Sequence, residues 1–155
     1  MFLTHMGLAM SLTIDNKDSK GQTYAVSASG DKGTSFVQKS MIHQGMILLI
    51  FVVWHLITFK FGPYYEYTSL ETGEVIRDLH KLLIEVFQSP LYVLGYMFCL
   101  LVLGLHLSHG VSSAIRTLGF NHPKYDPKVR MIGLGYAVLV MLGFMTQPIY
   151  VYFFS

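Results

Sequence analysis

The chain has 155 residues, 52% of them hydrophobic and 13% charged, which is about half the charge of an ordinary soluble domain. A net charge of +2, with basic residues spread between apolar runs, excludes a nucleic-acid-binding protein. The single cysteine, Cys99, excludes an intrachain disulfide framework, a four-cysteine zinc site and an iron–sulfur cluster held by this chain alone. The sequence contains no CxxCH run, so any haem is held without thioether bonds.

A helix needs about 20 mostly apolar residues to cross a ~30 Å hydrocarbon core. The first apolar run, MFLTHMGLAMSLTI over residues 1–14, is too short to cross and reads as part of a span. It lacks the basic start and clear cleavage pattern of a secretory signal, so Met1 is expected to fall inside the natural element. A polar Gly/Ser/Lys loop follows, from Asp15 to about Gln38. The next run, Met41 to Phe61 (39–61 with its polar flank), is predicted to be a full span. In the loop from Gly62 to Ser89, the segment EVIRDLHKLLIEVF places Val75, Leu79, Leu82, Leu83 and Val86 on one helical face. It predicts an amphipathic helix at the membrane surface over residues 74–88. Ser89-Pro90 opens a second full span (89–117), with proline tolerated in the first helical turn. A short loop around Asn121 to Pro127 leads to a third, Val129 to Phe154 (128–154 with its flank). The predicted fold is therefore all-α, a transmembrane helical bundle forming one domain.

Basic residues fix the orientation. The side shared by the end of the first run and the start of the second carries Lys17, Lys20, Lys32, Lys39, Arg116, Lys124, Lys128 and Arg130. The other side carries only Lys60, Arg77 and Lys81, beside Glu66, Glu71, Glu74, Asp78 and Glu85. The first side is cytoplasmic by the positive-inside rule.

Seven histidines in so apolar a chain need a reason. His43, His80 and His122 fall near span boundaries or in loops and read as interfacial or solvated. His5, His55, His106 and His109 lie within spans, where ionisable groups are costly and face a bundle interior with a use. At 1.5 Å per residue, His5 and His109 both sit about 12 Å below the cytoplasmic side, and His55 sits about 25 Å below it. His106 lies one turn deeper than His109 on nearly the same face. Two imidazoles at one depth on different helices are what bis-histidine haem ligation requires, which points to His5 with His109. His106 reads as a non-ligand, bonded to a quinone or to backbone or simply a satisfied interior histidine, although it can also replace His109. Gly95, Cys99, His106, Gly110 and Ser113 recur along one side of the same span. They leave room either for a flat ring or for close helix packing. Arg116, near the cytoplasmic surface, suits either a haem propionate or an interfacial anchor.

The runs LGLHLSHGVSSAIRTLGFNHPKY (Leu103 to Tyr125), FLTHMGLAMSLTIDN and FVVWHLITFKFG closely resemble the cytochrome b membrane-anchor subunit of succinate dehydrogenase and fumarate reductase. The likeness is to the single-chain, five-helix, dihaem bacterial type. It covers essentially the whole chain, and HxxHGxxSAxxTLG is its most specific part. The resemblance implies that His5 and His109 bind the cytoplasmic-side haem b and that His55, after Trp54, binds an outer-side haem. The partner of His55 belongs to a first helix with no counterpart here, so the chain reads as N-terminally truncated or as completed by another chain. It further implies a flavoprotein and an iron–sulfur protein as partners, a quinone (menaquinone, or another) as electron carrier, and a bacterial cytoplasmic membrane location. Catalysis on dicarboxylates then belongs to the partner subunits. Two other readings share the pattern: a cytochrome b subunit of another membrane dehydrogenase or hydrogenase, and a haem-free structural anchor. A histidine-lined ion carrier would use acidic groups deep in its spans, and none of the nine carboxylates lies there.

Overall fold

The computed structural model of the protein describes residues 2–18, 36–70 and 73–155. Its elements are α1 (Phe2–Asp18), a single turn α2 (Phe36–Lys39), α3 (Met41–Phe59), the strands β1 (Glu66–Thr68) and β2 (Val75–Arg77), α4 (Leu79–Phe87), α5 (Pro90–Thr117) and α6 (Asp126–Phe154). The expected all-α bundle is present, and α3, α5 and α6 are each long and apolar enough to cross a membrane. This is the build of a multi-pass membrane protein. Large apolar side chains such as Leu91, Met131, Leu139 and Phe153 lie on the outside, where a bilayer removes the penalty that water would impose.

Close helix approach organises the bundle. Helices α5 and α6 form the most extensive contact, α3 packs on α5, and α4 wedges against α3, α5 and α6 at one end. A Cβ on Gly133 of α6 would lie 2.8 Å from the Ser108 carbonyl oxygen of α5 and collide with the Ser112 hydroxyl. Ser112 is 5% exposed, donates to Ser108 O at 2.8 Å and reaches Val129 O at 3.5 Å. Small residues and interhelical hydroxyl bonds substitute here for the hydrophobic drive that a bilayer does not supply between helices. At the other end Gln88 Nε2 donates to Ser155 O at 2.8 Å, so α5 and α6 run antiparallel. Helix α3 is likewise antiparallel to α5, with Gly45 beside His106 near one end and Trp54 over Gly95 near the other.

The structure departs from expectation at three places. Helix α1 runs on to Asp18, four residues past Ile14. Residues 74–88 do not form one helix: β-branched Val75 and Ile76 pair antiparallel with Thr68 and Tyr67, and Gly73 takes the left-handed φ of +70° at the turn. The helix then starts at Leu79 because the Asp78 carboxylate caps it, accepting from Lys81 N at 2.9 Å. Of the anticipated apolar face, Leu82 is buried while Val75 and Leu79 are exposed. Arg77 ties the hairpin to the end of α3, donating to Lys60 O at 3.3 Å and Pro63 O at 3.2 Å. Helix α6 begins at Asp126, with Pro127 in its first turn. Residues 19–35 of the polar loop lie outside the described residues.

Candidate functional site

Near the end of the bundle that carries most of the basic residues, helices α1, α3 and α5 bring two histidines together. The rings of His5 and His106 lie 6.3 Å apart, centre to centre, with their planes at 87°. Gly45 of α3 closes the third side: a Cβ there would lie 3.8 Å from His106 Cε1. His106 is half-buried and its Nδ1 is shielded from solvent with no hydrogen-bond partner among the described residues. An unpaired buried nitrogen costs about 1–3 kcal/mol, so it calls for a ligand or a partner.

Among the described residues the ring that meets His5 is that of His106, whereas the depth arithmetic puts His109 at its level. Counted from Asp18, the helix end, His5 lies about 20 Å down its axis. Counted from Thr117, the end of α5, His106 lies about 16 Å down and His109 about 12 Å. His106 is the closer match in level. His109 is half-buried one turn nearer the helix end, and no ring contact joins it to His5 among the described residues.

Arg116 is engaged within the chain. Its Nε and Nη2 reach Asp126 Oδ1 at 2.8 and 2.7 Å, and Arg130 Nε binds Asp126 Oδ2 at 2.8 Å. The carboxylate joins the end of α5 to the start of α6, which accounts for Arg116 as a structural anchor. The stripe of small residues also divides. At Gly95 a Cβ would lie 2.7 Å from Trp54 Cη2, so that end serves helix packing and is filled by the indole, and Cys99 is buried. At Gly110, one turn from His106 on its face, there is open space.

His55 lies ten residues beyond Gly45 along α3, about 15 Å nearer the opposite end. It borders an apolar groove of about 340 Å³ walled by Phe51, Phe59, Tyr96, Leu103 and Phe144. Its Nδ1 is 3.3 Å from the Tyr96 hydroxyl. Tyr96 is buried at the centre of the aromatic packing, with Phe51, Trp54 and Phe87 each 5.0 Å from it ring to ring. This cluster fixes where α3, α4 and α5 meet and so sets the aim of His55.

Sequence reasoning passed over two of these residues. Tyr96 is one tyrosine among ten, and Tyr92, Tyr136, Tyr150 and Tyr152 stand in spans as it does, so the sequence does not single it out. Gln44 is 5% exposed and carries a signal that was available: an amide inside an apolar run, four residues after Ser40. Its Nε2 donates to Ser40 Oγ at 2.7 Å and Val37 O at 3.3 Å, while its Oε1 is buried with no hydrogen-bond partner among the described residues. Among the described residues no three His, Cys, Asp or Glu side chains gather as a metal-binding group, and a bis-histidine haem needs only two because the porphyrin supplies the remaining ligands. Comparison with family models, with curated proteins and with solved structures gives no match.

Proposed function

We propose that this chain is a haem b-binding membrane subunit of a succinate:quinone oxidoreductase, carrying electrons between an iron–sulfur protein at its cytoplasmic face and a membrane quinone. The observation that supports this best is the histidine pair. Two imidazoles from different helices are the protein ligands that a bis-histidine haem would need. His5 and His106 come from different helices and stand 6.3 Å apart. Open space over Gly110 and the unpaired His106 Nδ1 also fit a ligand at this level.

In this reading His5 and His106 hold the cytoplasmic-side haem, His109 flanks it, and Arg116, already paired with Asp126, steadies the adjacent helix end. His55 serves the outer side, in a groove whose aromatic walls suit a flat ring. The iron, when bound, supplies one-electron chemistry between ferrous and ferric states. The chain supplies the ligands, their orientation and a dry surround. Dicarboxylate chemistry resides on a flavoprotein partner, the quinone is menaquinone or a relative, and the location is a bacterial cytoplasmic membrane; the motif resemblance supports these assignments.

The test is a reduced-minus-oxidised spectrum of the purified full-length complex. The proposal expects b-type absorbance bands, and a complex without them refutes it.

A further inference from the structure

Tyr96 and His55 meet across the seam of α3 and α5, and the two side chains are held very differently. Tyr96 is 4% exposed, and with Phe51, Trp54 and Phe87 each 5.0 Å from its ring centre its hydroxyl has a fixed place. His55 is exposed beside the apolar groove, flanked one turn to either side along α3 by Phe51 and Phe59, at 6.1 and 5.0 Å ring to ring. The Tyr96 hydroxyl lies 3.3 Å from His55 Nδ1, and among the described residues this is the only hydrogen bond to the imidazole. Nε2 is left without a partner. The buried Thr58 side chain stands beside the same phenol. It can accept the phenolic O–H, which leaves the Tyr96 oxygen lone pairs for an N–H.

We propose that Tyr96 is a positioning residue for His55: its phenol oxygen accepts the Nδ1–H and so selects the tautomer whose Nε2 lone pair is free to bind a haem iron. A neutral imidazole carries one N–H, so placing it on Nδ1 leaves Nε2 as the metal-binding atom. The same bond holds the ring plane and raises the basicity of the ligand. Aromatic packing supplies the rigidity: the buried phenol cannot swing away, so the imidazole is the side chain that conforms.

The inference rests on the haem reading with His55 as a ligand, and the experiment separates the two. Redox titration of the wild-type full-length complex, followed optically, first shows whether b-type haem is present; its absence refutes the haem reading and, with it, this proposal. Haem that His55→Ala leaves wholly in place overturns this proposal alone. Tyr96→Phe keeps the packed ring and removes only the hydroxyl. It is expected to weaken retention of the haem that His55→Ala removes by roughly 10- to 100-fold. It is also expected to raise the potential of whatever remains of that haem, since a ligand with less imidazolate character favours ferrous iron, and to leave the haem that His5→Ala removes unmoved. Tyr92→Phe is the control: its ring lies 6.4 Å from that of Tyr96, it has no hydrogen bond to His55 among the described residues, and both potentials are expected to stay at their wild-type values. Wild-type retention and potential in Tyr96→Phe, or an equal shift in Tyr92→Phe, overturn the proposal. If Tyr96→Phe fails to assemble, a ring-fluorinated tyrosine at position 96, whose oxygen accepts more weakly, is expected to raise the same potential, and an unchanged or lowered value overturns the proposal instead.

Discussion

Gly133→Ala probes how tightly α5 and α6 approach. The added methyl would lie 2.8 Å from Ser108 O and 3.1 Å from Ser112 N, both backbone atoms that cannot swing aside, so α6 must retreat by several tenths of an ångström. Overpacking of this kind costs about 1–3 kcal/mol. The Ser112 hydroxyl must also rotate, which disturbs its reach across to Val129 O of α6, worth about 0.6 kcal/mol for an interhelical polar contact in a membrane. Against this, alanine gains about 1 kcal/mol over glycine in helix propensity. The net expectation is a loss of about 0.5–2.5 kcal/mol. Gly135 is the control, since nothing lies within 4 Å of a Cβ built there, and Gly135→Ala is expected to be neutral or stabilising. Reversible unfolding of the detergent-solubilised protein measures both. Equal stability of the two variants would refute the close-approach argument.

The Tyr65 hydroxyl hydrogen-bonds the Glu85 carboxylate, which raises the phenol above its ordinary value. A group whose pKa is raised on folding contributes stability below its unfolded pKa, about 10 for tyrosine, and loses it as pH climbs through the folded value. The phenolate absorbance of wild type minus Tyr65→Phe is expected to rise above pH 10 and to shift down in Glu85→Gln; coincident curves would contradict the bond. Asp126→Asn releases Arg116 and Arg130, and because these side chains are partly exposed the cost is expected to stay within about 1 kcal/mol. Thermal unfolding checks this, and a loss of several kcal/mol would show that the carboxylate has a larger role than joining two helix ends.

The three spans were legible because lipid-facing helices must be apolar over their whole length, and no packing detail alters that requirement. The second full span opens at Pro90, where the sequence announces it with Ser89-Pro90. The hairpin was not legible. Val75 fits the helical stripe of Leu79, Leu82 and Leu83, and only the pairing of Val75 and Ile76 with a distant strand, followed by the Asp78 cap, decides against it. The end of α1 was misplaced because hydropathy marks where a helix leaves lipid, and backbone hydrogen bonding carries it on through polar Asp15 to Asp18. The ring contact of His5 is with His106, where the level count from the sequence points to His109. Histidine type and approximate depth were readable from the chain, but which of two residues a turn apart meets a neighbouring helix depends on how α1 and α3 pack on α5. No local pattern encodes that.

The central claim is that His5 and His106 hold one haem between two helices, and it is tested most directly by haem content and reduced-minus-oxidised spectra of the full-length complex carrying His5→Ala, His106→Ala or His109→Ala. The account predicts that His5→Ala and His106→Ala lose the same b-type component while His109→Ala retains it. Loss of that component in His109→Ala with retention in His106→Ala would contradict it.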